Sequence, residues 1–121
     1  MGSKTVFNLD AGAVVCERCE LADTPWRRAR GLLGRNVIDP GEGLLLRPTA
    51  AIHTWFMRFA IDAVFLDADL QVIGVREELR PWRAAGKRGA RAVLELRAGE
   101  GRRRGLAAGT RLSLDSDEAR R

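Results

Sequence analysis

The stretch from Ala51 to Asp67 constrains this chain most, because no other segment is so dense in aromatic and β-branched side chains. Such residues suit a pleated, half-buried surface and are enriched in strands. The spacing predicts two strands here, over residues 51–59 and 63–67. Further strand-length segments lie at 6–9, 13–21, 43–47, 70–78, 91–97 and 110–114, each bounded by turn residues. Asp10-Ala11-Gly12 suits a hairpin, Asp39-Pro40-Gly41 a loop and Asp67-Ala68-Asp69 a tight turn.

One short helix is expected after these first strands. Thr24 can cap it, Pro25 suits its first position, and Trp26, Ala29, Leu32 and Leu33 recur at helical spacing before Gly34. Residues 79–90 hold Pro81, Gly86, Gly89 and four basic side chains, and read as a mobile loop. Residues 98–106 are glycine-punctuated and long enough for one helical turn. The fold class that follows is mainly β (α+β). It is a compact antiparallel barrel-like or sandwich-like sheet of seven or eight short strands, with one short helix packed on it.

At 121 residues the chain fits one domain over 1–121, with 115–121 a polar, frayed tail. A content of 45% hydrophobic and 31% charged residues is that of a globular chain, which excludes a disordered one. No apolar run approaches the roughly 18 residues that a membrane span needs. Residues 1–10 lack a signal-peptide core, and Val6 stands where a myristoylation motif wants Ser or Thr. A cytoplasmic protein with no membrane partner is expected, and a monomer is assumed.

The net charge of +5 is unevenly spread. From Arg80 to Arg111 ten basic residues stand against two acids, Glu95 and Glu100. Such asymmetry speaks to anionic partners and says nothing about fold. Against that, 19 of the 21 basic residues are Arg, the bias of a GC-rich coding sequence, and a solvated surface is the commoner explanation of a charge run. Arg80, Arg83, Lys87 and Arg88 are the candidate anion-binding residues.

Cys16 and Cys19 have the spacing of zinc and redox pairs, yet the chain has no second cysteine pair and one histidine. In a regular strand, positions three apart point to opposite faces, so small core side chains explain the pair better. Asp67 and Asp69 lack the further oxygens a hard cation requires. No metal site, cofactor motif, phosphate-cradling loop or nucleophile elbow is legible.

The most informative constellation runs from Ile52 to Asp62. Read as a strand, His53, Trp55, Met57 and Phe59 share one face. Asp62 interrupts an apolar run and, if buried, needs hydrogen bonds or a cation. Arg35 is a candidate partner, since a guanidinium grips a carboxylate through two parallel bonds. A backbone-bonded His53 and a turn-capping Asp62 form the plainer alternative.

These residues resemble a known family. Glu20-Leu21-Ala22-Asp23-Thr24-Pro25, Arg28 and Gly31-Leu32-Leu33-Gly34-Arg35 are similar to the opening blocks of the family called domain of unknown function one-nine-two. Gly43-Leu44-Leu45-Leu46 is similar to its next block, and His53-Thr54-Trp55-Phe56-Met57 with Ile61-Asp62 and Val64-Phe65-Leu66-Asp67 to its central signature. Val93-Leu94-Glu95-Leu96 with Gly99 is similar to its closing block, so the likeness spans roughly residues 13–114. The chain departs at Leu33 and Leu44, where Met is common, and at Phe56, where Trp is. The resemblance implies a compact, mostly β domain in which the His53–Asp62 region and Arg35 matter beyond packing. It implies no substrate, cofactor or catalytic residue.

The first functional expectation is a non-enzymatic domain binding a small anionic ligand, with His53, Trp55, Met57, Arg35 and Asp62 at the pocket and the Arg80–Arg104 region at its rim. A nucleic-acid-binding module using Trp82 and the neighbouring arginines is the second. The third is a small hydrolase or transferase with His53 as base and Asp62 as its orienting group.

Overall fold

Residues 3–116 are the part of the chain that the computed structural model describes. Along them run nine strands and two short helices. In order these are β1 (Lys4–Asn8), β2 (Ala13–Ala22), α1 (Pro25–Arg30), β3 (Glu42–Leu46), β4 (Ala51–His53), β5 (Ile61–Leu66), β6 (Val72–Leu79), β7 (Ala84–Gly86), β8 (Ala92–Arg97), α2 (Glu100–Arg103) and β9 (Leu112–Ser116).

Seven strands form one sheet in the order β6-β5-β8-β3-β2-β1-β9, and β4 pairs with β7 in a separate ribbon. The large sheet curls into a half-barrel. Its two edges meet at one corner, where Gln71 bridges Arg111, and the Leu112 N–H donates to the Leu70 carbonyl at 3.0 Å. The fold is mostly β, as the sequence predicts. One pair departs from the antiparallel expectation: Arg18–Ala22 of β2 runs parallel to Glu42–Leu46 of β3. Parallel neighbours need a crossover, and α1 with residues 31–41 supplies it.

All six residues of β5 are buried, and so are five of the six in β8, because both faces of these strands are covered. The inside of the curl takes apolar side chains from every strand of the sheet, among them Val6, Val15, Leu45, Val64, Val72, Leu94 and Leu112. The outer face of the middle strands carries Leu44, Leu46, Phe65 and Val93. Leu32 and Ile38 from the crossover, Ile52 from β4 and Met57 lie over that outer face.

Several local expectations change. Helix α1 spans only six residues and ends at Gly31, whose φ of 50° leaves the right-handed path before Gly34 is reached. Its start is as expected: Thr24 Oγ1 accepts from the Arg27 N–H at 3.2 Å, and Pro25 follows. Trp26 is exposed rather than packed, and Leu32, beyond the helix, is buried instead.

The strand expected over 51–59 stops at His53. Thr54 turns inward, and the Thr54 N–H donates to the Arg83 carbonyl at 2.8 Å. Phe56 then takes a φ of 66°, which ends any extended path. The segment 79–90 is correspondingly more than a loop. It contains β7, whose Gly86, Ala85 and Ala84 face Ala51, Ile52 and His53.

Cys16 and Cys19 both point into the core. Val6 faces Cys16 and Lys4 faces Cys19, so two steps on β1 oppose three on β2. That bulge overturns the expectation of opposite faces. At the far end, Asp115 and Ser116 complete β9 opposite Thr5 and Lys4, so they do not belong to a frayed tail. The rest of that expected tail, 117–121, lies outside the described residues.

Candidate functional site

Strand β8 places one carboxyl group in apolar surroundings. Alternation along β8 sends Leu94 and Leu96 into the curl and Val93 and Glu95 to the outer face. Glu95 is only 3% exposed, and burial pushes its carboxyl up to about 8. It has no hydrogen-bond or ion-pair partner among the described residues. No fully sealed side-chain polar atom among them lacks a partner, so the Glu95 oxygens keep a sliver of accessible space.

That space is a cavity of about 120 Å³. Residues 28–33 border it, as do Thr49, Ala51, Ile52 and His53, with Met57 contributed by the turn beyond β4. Leu32, Leu46, Ile52 and Met57 are among the apolar parts of its wall; Arg28, Arg30, Thr49 and His53 are the polar residues beside Glu95. Arg28 is anchored, since its Nη1 donates to the Asp23 carbonyl at 3.2 Å and to the Arg47 carbonyl at 3.3 Å.

The structure brings His53 and Met57 to this cavity, and leaves the other expected residues out of its lining. Trp55 stacks on His53, with ring centroids 4.6 Å apart and planes at 25°. Arg35 does not meet Asp62; its Nη2 pairs with Glu42 Oε1 at 2.8 Å. Burial alone would raise the Glu42 carboxyl, but hydrogen bonds from the Asp39 N–H and from Arg35 outweigh it and hold the group below its ordinary range.

Asp62 is completely buried on the opposite, inner face of the sheet. Its carboxylate accepts from the backbone N–H groups of Glu78 at 2.9 Å, Gly99 at 3.0 Å and Gly101 at 2.8 Å. These bonds tie β5 to β6 and to the start of α2. A His53–Asp62 dyad is therefore corrected: the two side chains lie on opposite sides of β5. Arg80, Arg83, Lys87 and Arg88 also stay out of the cavity lining, whose cations are Arg28 and Arg30.

A second surface lies where the β4 and β7 ends meet. Trp55, Phe56 and Trp82 are 49%, 69% and 57% exposed, and Phe56 and Trp82 touch with centroids 4.6 Å apart. Trp82, like Phe56, holds a positive φ, here 65°. Arg80 and Arg83 flank Trp82 in the chain and are exposed.

Sequence reasoning missed Glu95, Arg28, Arg30 and Thr49 as candidate site residues. A signal for Glu95 was present: an acid in the middle of the predicted strand 91–97 demands a partner just as Asp62 does. Among the described residues no group of three or more His, Cys, Asp or Glu side chains is placed to hold a metal ion. No helix among them is long and apolar enough to cross a membrane.

The chain is similar to two archaeal proteins, each called UPF0127 protein. That of Thermococcus sibiricus is 33% identical over 99 residues, covering 78% of this chain and 64% of the relative. That of Pyrococcus abyssi is 39% identical over 85 residues, covering 64% of this chain and 69% of the relative. The chain thus spans just under two thirds of the length of the Thermococcus protein.

Two solved structures share the fold. A protein of unknown function from Novosphingobium aromaticivorans has a TM-score of 0.79 at 24% identity, over 92% of this chain and 83% of that one. A proposed transcription regulator from Sinorhizobium meliloti has a TM-score of 0.81 at 23% identity, over 94% and 96%. The family model DUF192, described as Uncharacterized ACR, matches residues 6–114. The chain belongs to the DUF192 family.

Proposed function

We propose that this protein is a small-ligand-binding domain whose ligand occupies the cavity over Glu95, with His53 and Met57 in contact and Arg28 and Arg30 drawing an anionic group to the rim. One observation carries the reading. A carboxyl group buried without a partner is costly, and it opens into a concavity whose lining mixes apolar side chains with two arginines, a threonine and a histidine, groups able to orient a ligand. The test is a thermal-shift screen against small metabolites, together with mass spectrometry for a co-purified ligand. His53→Ala and Glu95→Gln are expected to fold and to lose the ligand-induced shift. A shift that survives both substitutions would overturn the reading.

A second reading rests on the separate exposed surface of Trp55, Phe56 and Trp82. Aromatic side chains beside arginines suit the stacked bases and phosphates of a single-stranded nucleic acid. It predicts low-salt binding that falls steeply as salt rises and weakens with Trp82→Ala. No binding of a single-stranded oligonucleotide at low salt dismisses it.

A further inference from the structure

We propose that the ligand is a small zwitterion, with an ammonium group seated on Glu95 and an anionic group held at the rim by Arg28 and Arg30. This deepens the cavity reading above and rests on it.

The size of the space sets the first limit. A cavity of about 120 Å³ is somewhat smaller than one of roughly 150 Å³ that takes up benzene, so only a compact group reaches Glu95. The walls set the second. Leu46, Ile52 and Met57 offer no charge to a carboxylate, and Arg28, Arg30 and His53 of the same lining form no ion pair with Glu95, so what neutralises it is a proton or the ligand itself.

Charge then selects between ligand types. Glu95 is the one acid in the lining, and Arg28 and Arg30 stand on the bordering segment. A plain carboxylate would meet the arginines but bring a negative charge toward Glu95. A plain amine would meet Glu95 but gain nothing from the arginines. A zwitterion satisfies both ends at once. The two carbonyls that hold Arg28 Nη1 fix its guanidinium without consuming its other N–H groups.

Proton linkage separates this ligand from the others. In the free protein Glu95 holds its proton well above the ordinary carboxylate range. An arriving ammonium stabilises the ionised form, so that proton leaves for solvent as the ligand binds. A ligand that accepts a hydrogen bond from protonated Glu95 releases none.

The experiment is calorimetric titration of the whole chain just below neutral pH, in two buffers of different ionisation heat. The probes are glycine, β-alanine and 4-aminobutyrate, with propionate and ethylamine as their halves. At least one amino acid is expected to bind about tenfold or more tighter than either half. It should release about one proton per ligand bound. Glu95→Gln should abolish both effects, while Arg30→Gln should weaken the amino acid and leave ethylamine unchanged. If Glu95→Gln fails to fold, the proton count of the natural chain decides.

Binding of propionate as tight as the amino acids, with no proton release, overturns the zwitterion and leaves the cavity a ligand site. If these probes fail but another metabolite gives a Glu95-dependent thermal shift, the zwitterion falls alone. Silence in both the titrations and the wider thermal-shift screen overturns the cavity reading with it.

Discussion

Two buried carboxyl groups in neighbouring strands are treated in opposite ways. Asp62 collects three backbone N–H groups; Glu95 collects none among the described residues. For Glu95 the consequence is a pH-dependent loss of stability. Below its ordinary value of 4.5 the group is protonated whether the chain is folded or not. As pH rises from there to about 8, the unfolded chain releases the proton while the folded one keeps it. The folded state therefore loses stability through that window, by on the order of a few kcal/mol, and loses no more above it. Thermal melts across this range should show a falling midpoint for the natural chain and a flatter one for Glu95→Gln. Asp62→Ala removes the shared acceptor of three N–H groups. It should cost about 3–5 kcal/mol in urea unfolding. A cost under about 1 kcal/mol, the scale of a single neutral hydrogen bond, would show that the carboxylate is not the anchor.

Among the elements, the β4–β7 ribbon depends on one buried hydroxyl. Thr54 Oγ1 donates to the Arg80 carbonyl and accepts from the Arg83 N–H at 2.9 Å, and the Trp82 N–H donates to the Thr54 carbonyl at 3.0 Å. Thr54→Val keeps the shape and deletes the hydroxyl bonds, so it should cost about 1–3 kcal/mol. Amide exchange should rise first at residues 82–86, since β4 and β7 pair over only three residues each. The same bonds explain why residues 51–59 misread as one strand. Aromatic and β-branched residues mark a surface suited to pleating, but Trp55 and Phe56 project outward from turns. What bends the chain at Thr54 comes from residues 80–83, which no local pattern in 51–59 reveals. The start of α1 was legible, because Thr24 and Pro25 act within one turn; its stop at Gly31 was not, because Gly34 offered the same chemistry.

For the whole molecule, the curl is held where α2 meets the early strands. Arg104 is the joint: its Nε donates to Glu100 Oε1 at 3.0 Å, its Nη1 to the Val14 carbonyl at 3.0 Å, and its Nη2 to the Pro40 carbonyl at 3.3 Å. It thus ties α2 to β2 and to the loop before β3. Arg104→Met keeps much of the stem and leaves the buried Glu100 only the more exposed Arg103, 3.6 Å away. The substitution should cost about 2–4 kcal/mol in denaturant unfolding. A loss within experimental error would mean that α2 closes the sheet by packing alone.

The amino-acid order by itself determined where the chain extends and turns. Strand propensity, the hairpin at Asp10–Gly12 and the Asp67 turn all act between near neighbours, so seven of the eight expected strands overlap one strand of the large sheet each. It also marked the segment around His53 as the place to look. Only the tertiary structure decided what that segment meets. Asp62 and Glu95 are both acids inside apolar strands; nothing local distinguishes them. The difference lies in which distant groups the curl delivers: Gly99 and Gly101 amides to one, an open cavity bordered by Arg28 and His53 to the other. A buried charge is settled by its surroundings, and those are assembled from residues far apart in the chain.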